Sequence, residues 1–257
     1  MIGLAVRFLF WCALWSIIFA ATPSPATAGC LPGPGRVAIY DGTIGAAANV
    51  RMVLSSSGNE LKGVYFYTRY LKDIRIEGDV KDLRTVLLRE YDFASRVTAR
   101  FVGEFADHDP RGQMKGPLGC EVITGTWEPL DSARQMPFYL RLDSDFAGEL
   151  GDLYGRDNDG LVNRAAQKFQ AAVIAGDQEA VAALILYPID ITVDEKRLRI
   201  KDRRALTLNW ERIFSSSYRE AVAQAVPRAM FANEQGIMLG NGQAWFNSDG
   251  KIIAINP

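Results

Sequence analysis

The sequence predicts an α+β chain in two parts, an N-terminal antiparallel β-sandwich or small barrel followed by a mixed helix and strand unit. Three observations carry this. Between residues 37 and 142, apolar and polar side chains alternate in short runs, the period of a half-buried strand. From 161 to 186, apolar residues recur at helical spacing instead. From 230 to the end, short β-branched and aromatic runs return between turns rich in Gly and Asn. Helices first and a terminal antiparallel sheet second is an α+β pattern.

The chain opens with a stretch read as a signal peptide over residues 1–28. Arg7 supplies the positive start, residues 8–21 carry no charge, Pro23 and Pro25 break any helix, and Ala26-Thr27-Ala28 offers small residues for cleavage. The uncharged run is shorter than the ~20 apolar residues a spanning helix needs. The expectation is therefore a periplasmic or secreted protein with no membrane span in its mature chain. Cleavage removes Cys12 and leaves Cys30 and Cys120. An even count in an exported chain predicts a Cys30–Cys120 disulfide, worth roughly 4–5 kcal/mol in the chain-entropy picture for a loop of this length. The alternative is a lipoprotein anchored at Cys30, with residues 27–30 as a lipobox. In that motif Thr27 stands where a large aliphatic residue is expected.

The β-rich domain is assigned to residues 29–147. Runs at 50–54, 61–67, 74–80, 85–90, 97–105, 122–127 and 138–142 are rich in β-branched and aromatic residues and are separated by Gly, Asp, Asn or Pro. Gly58-Asn59 marks a hairpin turn. Tyr65 and Tyr67 share one face with Phe66 on the other, and Phe101 and Phe105 share a face, which places these rings in a core. His108, the single histidine, lies in the turn-rich stretch 106–112 between Asp107 and Asp109 and reads as a solvated loop residue. Residues 148–160 read as a linker. Within it, Asp157-Asn158-Asp159-Gly160 has part of a calcium-loop pattern, but Gly155 and Ala166 occupy the two ends where acidic residues are required.

The third segment, 161–257, begins with a helix in which Val162, Ala166, Phe169, Val173 and Ile174 share a face. Gly176-Asp177 ends it and caps a second helix over 178–186, which Tyr187-Pro188 stops because proline bars helical geometry in the residue before it. Strands follow at 189–193 and 198–200, a helix pair at 205–214 and 218–226, with Ser215 as an N-cap. Strands close the chain at 230–231, 237–239, 243–246 and 252–255.

This third segment resembles the NTF2-like (SnoaL-like) α+β cone family. The likeness rests on residues 169–184 (FQAAVIAGDQEAVAAL), a helix, a Gly-Asp break and a short second helix, and on the late hairpin of residues 235–246 (QGIMLGNGQAWF). The resemblance implies a curved sheet wrapped around helices with a pocket at its wide end. In enzyme members such a pocket holds a carboxylate whose pKa is raised by apolar burial. Carried onto this chain, the candidate catalytic residues are Asp190 as base and Tyr187 as proton donor, and the candidate pocket residues are Trp210, Asn233 and Trp245. The N-terminal half, with Gly63-x-Tyr65-x-Tyr67 and Gly125-x-Trp127, resembles small periplasmic β-domains in general.

Composition narrows the function. Lys plus Arg number 29 against 30 Asp plus Glu, so there is no basic excess to hold nucleic acid. One histidine and three cysteines do not make a zinc set, and no cofactor motif is present. The expected function is an exported, soluble, non-catalytic binding or inhibitor-type protein whose partner is an envelope protein or a small apolar molecule. The alternatives are a small-molecule hydrolase or isomerase using the cone pocket, and a structural envelope component.

Overall fold

A computed structural model describes residues 31–112, 119–155 and 158–257. The expected signal peptide, Cys30 and Asp157 lie outside the described residues.

Eight strands form one closed antiparallel barrel in chain order: β1 (Arg36–Ile44), β2 (Ala48–Ser57), β3 (Glu60–Tyr67), β4 (Ile74–Lys81), β5 (Thr85–Tyr91), β6 (Val97–Phe105), β7 (Val122–Pro129) and β8 (Met136–Ala147). The last strand returns to the first, pairing Arg36 with Ala147 and Ile44 with Phe138. Period-2 alternation decides which side chains turn inward. Tyr40, Met52, Leu54, Tyr65, Ile76, Leu88, Phe101, Ile123 and Leu140 fill the interior. Phe101 sits edge-on to both Tyr65 and Phe138, with ring centroids 5.3 Å apart in each pair. A small barrel leaves little room inside, and glycine marks tight crossings: Gly103 faces Gly125 across β6 and β7. A Cβ on Gly125 would stand 2.1 Å from the Val102 carbonyl oxygen. The interior is apolar, while Arg75, Glu77, Arg89, Arg100 and Glu104 alternate with it on the outer surface. A barrel that spans an outer membrane has the reverse pattern. Among the described residues, no helix is long and apolar enough to cross a membrane.

Two strand segments went unread in the sequence. β1 contains Asp41-Gly42-Thr43 and the end of β8 contains Asp143-Ser144-Asp145, both turn-like by composition. Pairing across the barrel seam overrides that bias, and Arg36 Nε donates to Asp145 at 2.8 Å where the two strands meet.

After the barrel come α1 (Asp159–Ala175), α2 (Gln178–Leu184), a hairpin of β9 (Ile189–Val193) and β10 (Lys196–Ile200), then α3 (Arg203–Leu208), α4 (Trp210–Ile213) and α5 (Ser216–Gln224). A meander of β11 (Phe231–Asn233), β12 (Gly236–Leu239), β13 (Ala244–Phe246) and β14 (Ile252–Ile255) ends the chain. Local signals held here. Gly176 ends α1 in the left-handed conformation at φ 70°, and Asp177 caps α2 by accepting from the Ala180 amide at 2.9 Å. Ser215 likewise caps α5.

The α+β cone does not form. The strands of this unit lie in two separate sheets, the β9–β10 hairpin and the four-stranded meander, joined to each other by no ladder. Meander strands of three or four residues are too short to curve around helices. The meander instead lays one face on α1, where Phe246 meets Phe169 edge-on at 6.1 Å. With strand at 45% and helix at 20% of the described residues, the structure is mostly β, built on a closed barrel.

The two parts share an apolar seam. Val37, Ile39, Val53, Phe66 and Phe146 on the barrel exterior pack with Leu153 and Ala229, and with Val226 and Phe231 at its edge. Burying this outer face of β1, β2, β3 and β8 fixes where the remaining cleft lies.

Candidate functional site

The cleft begins from one row of charge. Across β2, β1 and β8, Arg51, Asp41 and Arg141 stand opposite one another in register. Arg51 takes the carboxylate: Nε and Nη2 donate to the two Asp41 oxygens at 2.7 and 2.6 Å. Its third nitrogen, Nη1, donates to the carbonyl of Ala229 at 3.0 Å, so one guanidinium ties two barrel strands to the chain entering the meander. Burial opposes the charge on Arg51, yet Asp41 holds its pKa above the ordinary value. With both Asp41 oxygens engaged by Arg51, Arg141 is left facing the cleft.

The groove so formed has a volume of about 560 Å³ and runs between the barrel wall and α5. Asp41, Thr43, Tyr139 and Arg141 line the barrel side, Arg69 and Leu71 come from the β3–β4 loop, and Gln170 and residues 223–227 form the far wall. Arg111 reaches in from the β6–β7 loop, donating to Thr43 Oγ1 at 2.6 Å and lying 4.0 Å over the Tyr139 ring. Burial, and then Asp109 nearby, push the Tyr139 hydroxyl above its ordinary pKa, so it remains a neutral donor. Gln170 Nε2 fixes the far wall by donating to the carbonyls of Val222 and Ala225 at 2.8 and 2.7 Å. Among the described residues neither Arg69 nor Arg141 belongs to an ion pair. A smaller recess of about 300 Å³ continues the groove past Arg141 to Asp143, Met238 and Gln243.

Behind this wall a second polar knot locks the junction. Tyr154 donates to Asn163 Oδ1 at 2.8 Å and accepts from the Met230 amide at 2.9 Å. Asp159 accepts from the Leu153 and Tyr154 amides at 2.8 and 3.0 Å, with its pKa raised by burial. Arg228 pairs with Asp73 of the β3–β4 loop and lies over the Phe66 ring.

The residues singled out in the sequence do not converge on this groove. Asp190 sits on the β9–β10 hairpin, where Arg197 and Arg199 donate to its Oδ2 at 2.7 and 2.6 Å. Those hydrogen bonds hold its carboxyl below the usual carboxylate range, the opposite of what a base buried in an apolar pocket requires. Tyr187 is half-buried against the helical core, and burial raises its pKa. Trp210 is a core residue, 3% exposed and stacked on Phe214 at 4.1 Å. Trp245 lies in the middle of the meander between Met238 and Ala254. Asn233 accepts from the Gln235 amide in a turn and lines a shallow cleft of about 750 Å³ beside Arg36 and Phe146. Cys120 packs half-buried against the barrel interior. His108 is exposed. Among the described residues no group of three His, Cys, Asp or Glu is placed to hold a metal.

The groove arginines escaped the sequence reading because Arg69, Arg111 and Arg141 belong to three separate stretches. Arg141 alone had a signal, as a charge alternating with the apolar residues Leu140 and Leu142. No family model matches the chain, and no curated protein matches it.

Proposed function

We propose that this protein is a non-catalytic binding protein, exported to the bacterial periplasm, whose partner presents an anionic group to the groove between the barrel and the C-terminal unit. One observation carries the reading: Arg69 and Arg141 face a preformed groove and make no ion pair among the described residues, beside an Arg111 already oriented by Thr43 and Tyr139. Planar guanidinium groups on a rigid barrel wall suit carboxylate or phosphate recognition, since each offers paired donors to two oxygens. The groove is wide and solvent-lined, which fits a protruding acidic side chain or headgroup of an envelope protein better than an enclosed apolar molecule. The hydrolase or isomerase alternative would need Asp190 as a base, and its two arginine partners keep that carboxylate ionised and occupied.

The test is a parallel capture from a periplasmic extract with the wild type and with an Arg69→Glu/Arg141→Glu variant. A partner retained by the wild type, lost by the variant and released by added salt is the expected result. Equal retention by both proteins would overturn the assignment.

A further inference from the structure

The open end of the barrel on the side of residues 68–73 and 92–96 holds a second cavity, of about 660 Å³, lined by Tyr67, Tyr70, Ile74, Glu90, Tyr91 and Phe93 among others. We propose that it binds an organic cation, an alkylammonium or guanidinium group, on the carboxylate of Glu90. This site is separate from the groove and of opposite charge preference.

The argument starts from how Glu90 is held. It is the last inward-facing position of β5, at a place where β6 bulges and Thr98 drops out of the ladder. The bulge aims the Thr98 hydroxyl at Glu90 Oε1, 2.7 Å away. Oε2 accepts from the Tyr65 hydroxyl at 2.6 Å and from the Trp127 indole at 3.1 Å. All three donors are neutral. They orient the carboxylate and replace part of its hydration, but they leave its charge uncompensated. Among the described residues Glu90 has no ion pair.

The other charges around the cavity are already spent. Asp73 pairs with Arg228, Asp92 with Arg96, and Arg75 with Glu77. Lys72, exposed on the rim, is the remaining cation among the lining residues and makes no ion pair among the described residues. The rings complete the site. Tyr67 and Tyr70 meet edge-on at 6.4 Å, and Phe93 is fully exposed at the tip of the β5–β6 loop. Two of these rings already carry guanidinium groups of the chain itself, Arg69 at 5.7 Å from the Tyr70 centroid and Arg75 at 4.2 Å from that of Tyr91. A carboxylate that makes no ion pair among the described residues, in a cavity walled by Tyr67, Tyr70, Tyr91 and Phe93, suits a cation with an apolar stem.

Such a cation has two sources, a free amine or a Lys or Arg side chain of a protein. The test is titration of the whole protein with n-butylammonium chloride and, separately, with the peptide acetyl-Gly-Lys-Gly-amide. The readout is the NMR shift of the Trp127 indole N–H, with n-butanol and sodium chloride as controls. Saturable shifts with an ammonium probe and none with the controls are expected. Tighter binding of the peptide assigns the site to a protein side chain, and tighter binding of n-butylammonium to a free amine. Glu90→Gln should weaken either by about tenfold or more, the loss expected for one charged hydrogen bond. Lys72→Met, at an exposed position, should strengthen binding, and Tyr70→Ala should weaken it, which keeps the test open if Glu90→Gln does not fold. No saturable shift with either ammonium probe, an equal shift with n-butanol, or titrations unchanged in Lys72→Met and Tyr70→Ala would each overturn the proposal.

Discussion

Replacing Arg51 with methionine tests how the groove is built. The side chain is 8% exposed as a residue, lies on the outer face of β2, and makes three strong hydrogen bonds, two to Asp41 and one to the carbonyl of Ala229. Methionine keeps most of the apolar stem, so the loss is that of the guanidinium. It leaves Asp41 without its cation and a carbonyl without its donor. Breaking a buried pair by removing one partner costs ~3–5 kcal/mol. The Asp41 side chain keeps 33% of its surface, so water recovers part of that. We therefore expect a loss of about 2–4 kcal/mol in urea denaturation, or about 4–16 °C in Tm for a chain of this size. Because Arg51 also anchors the segment that forms the groove wall, the variant should retain less partner in the capture assay. A cycle with Asp41→Asn isolates the pair. A loss below about 1 kcal/mol would refute the view that the Arg51 guanidinium ties the barrel to the chain entering the meander, and a coupling energy indistinguishable from zero would refute a contribution from its pair with Asp41.

The barrel interior should respond as a packed core: Phe101→Ala removes a ring that touches Tyr65 and Phe138 edge-on, and a loss of about 3–5 kcal/mol in denaturation is expected. Asp190 should behave as a surface ion-pair residue. Its folded-state pKa is lowered by Arg197 and Arg199, so its contribution is present above the ordinary carboxylate range and is lost as pH falls through the folded value. The stability difference between wild type and Asp190→Asn should therefore be small, greatest near neutral pH and absent in strong acid. An acid-side maximum in that difference would contradict the assignment. Finally, a peptide map of the purified protein without reductant should contain a linked Cys30–Cys120 pair, whereas an acylated Cys30 would show the lipoprotein alternative.

Much of the fold was legible locally. Strands β2 to β7 follow runs of alternating β-branched and aromatic residues, and the Gly176-Asp177 break appears as a left-handed C-cap followed by a side-chain N-cap. These are short-range effects, set by sterics and by hydrogen bonds between near neighbours. The cone expectation failed where the decision was not local. Nothing in the short runs at the C-terminus says whether they join the 189–200 hairpin in one sheet, and the structure leaves them in two sheets.

The sites divide in the same way. Tyr65, Tyr67, Phe101 and Trp127 could be placed on the inner face from period alone, because a pleated strand turns alternate side chains to one side. That Glu90 shares this face, and that Tyr65, Thr98 and Trp127 from three other strands all donate to it, depended on register and on one bulge in β6. Arg69, Arg111 and Arg141 converge only because the barrel closes and the C-terminal unit covers one side of it. By itself the sequence determined strands β2 to β7, the first helices and their break, since those choices rest on side-chain period and capping. The tertiary structure decided which charges would be paired and which left open, because a charge is neutralised by whatever closure and register bring within hydrogen-bonding distance.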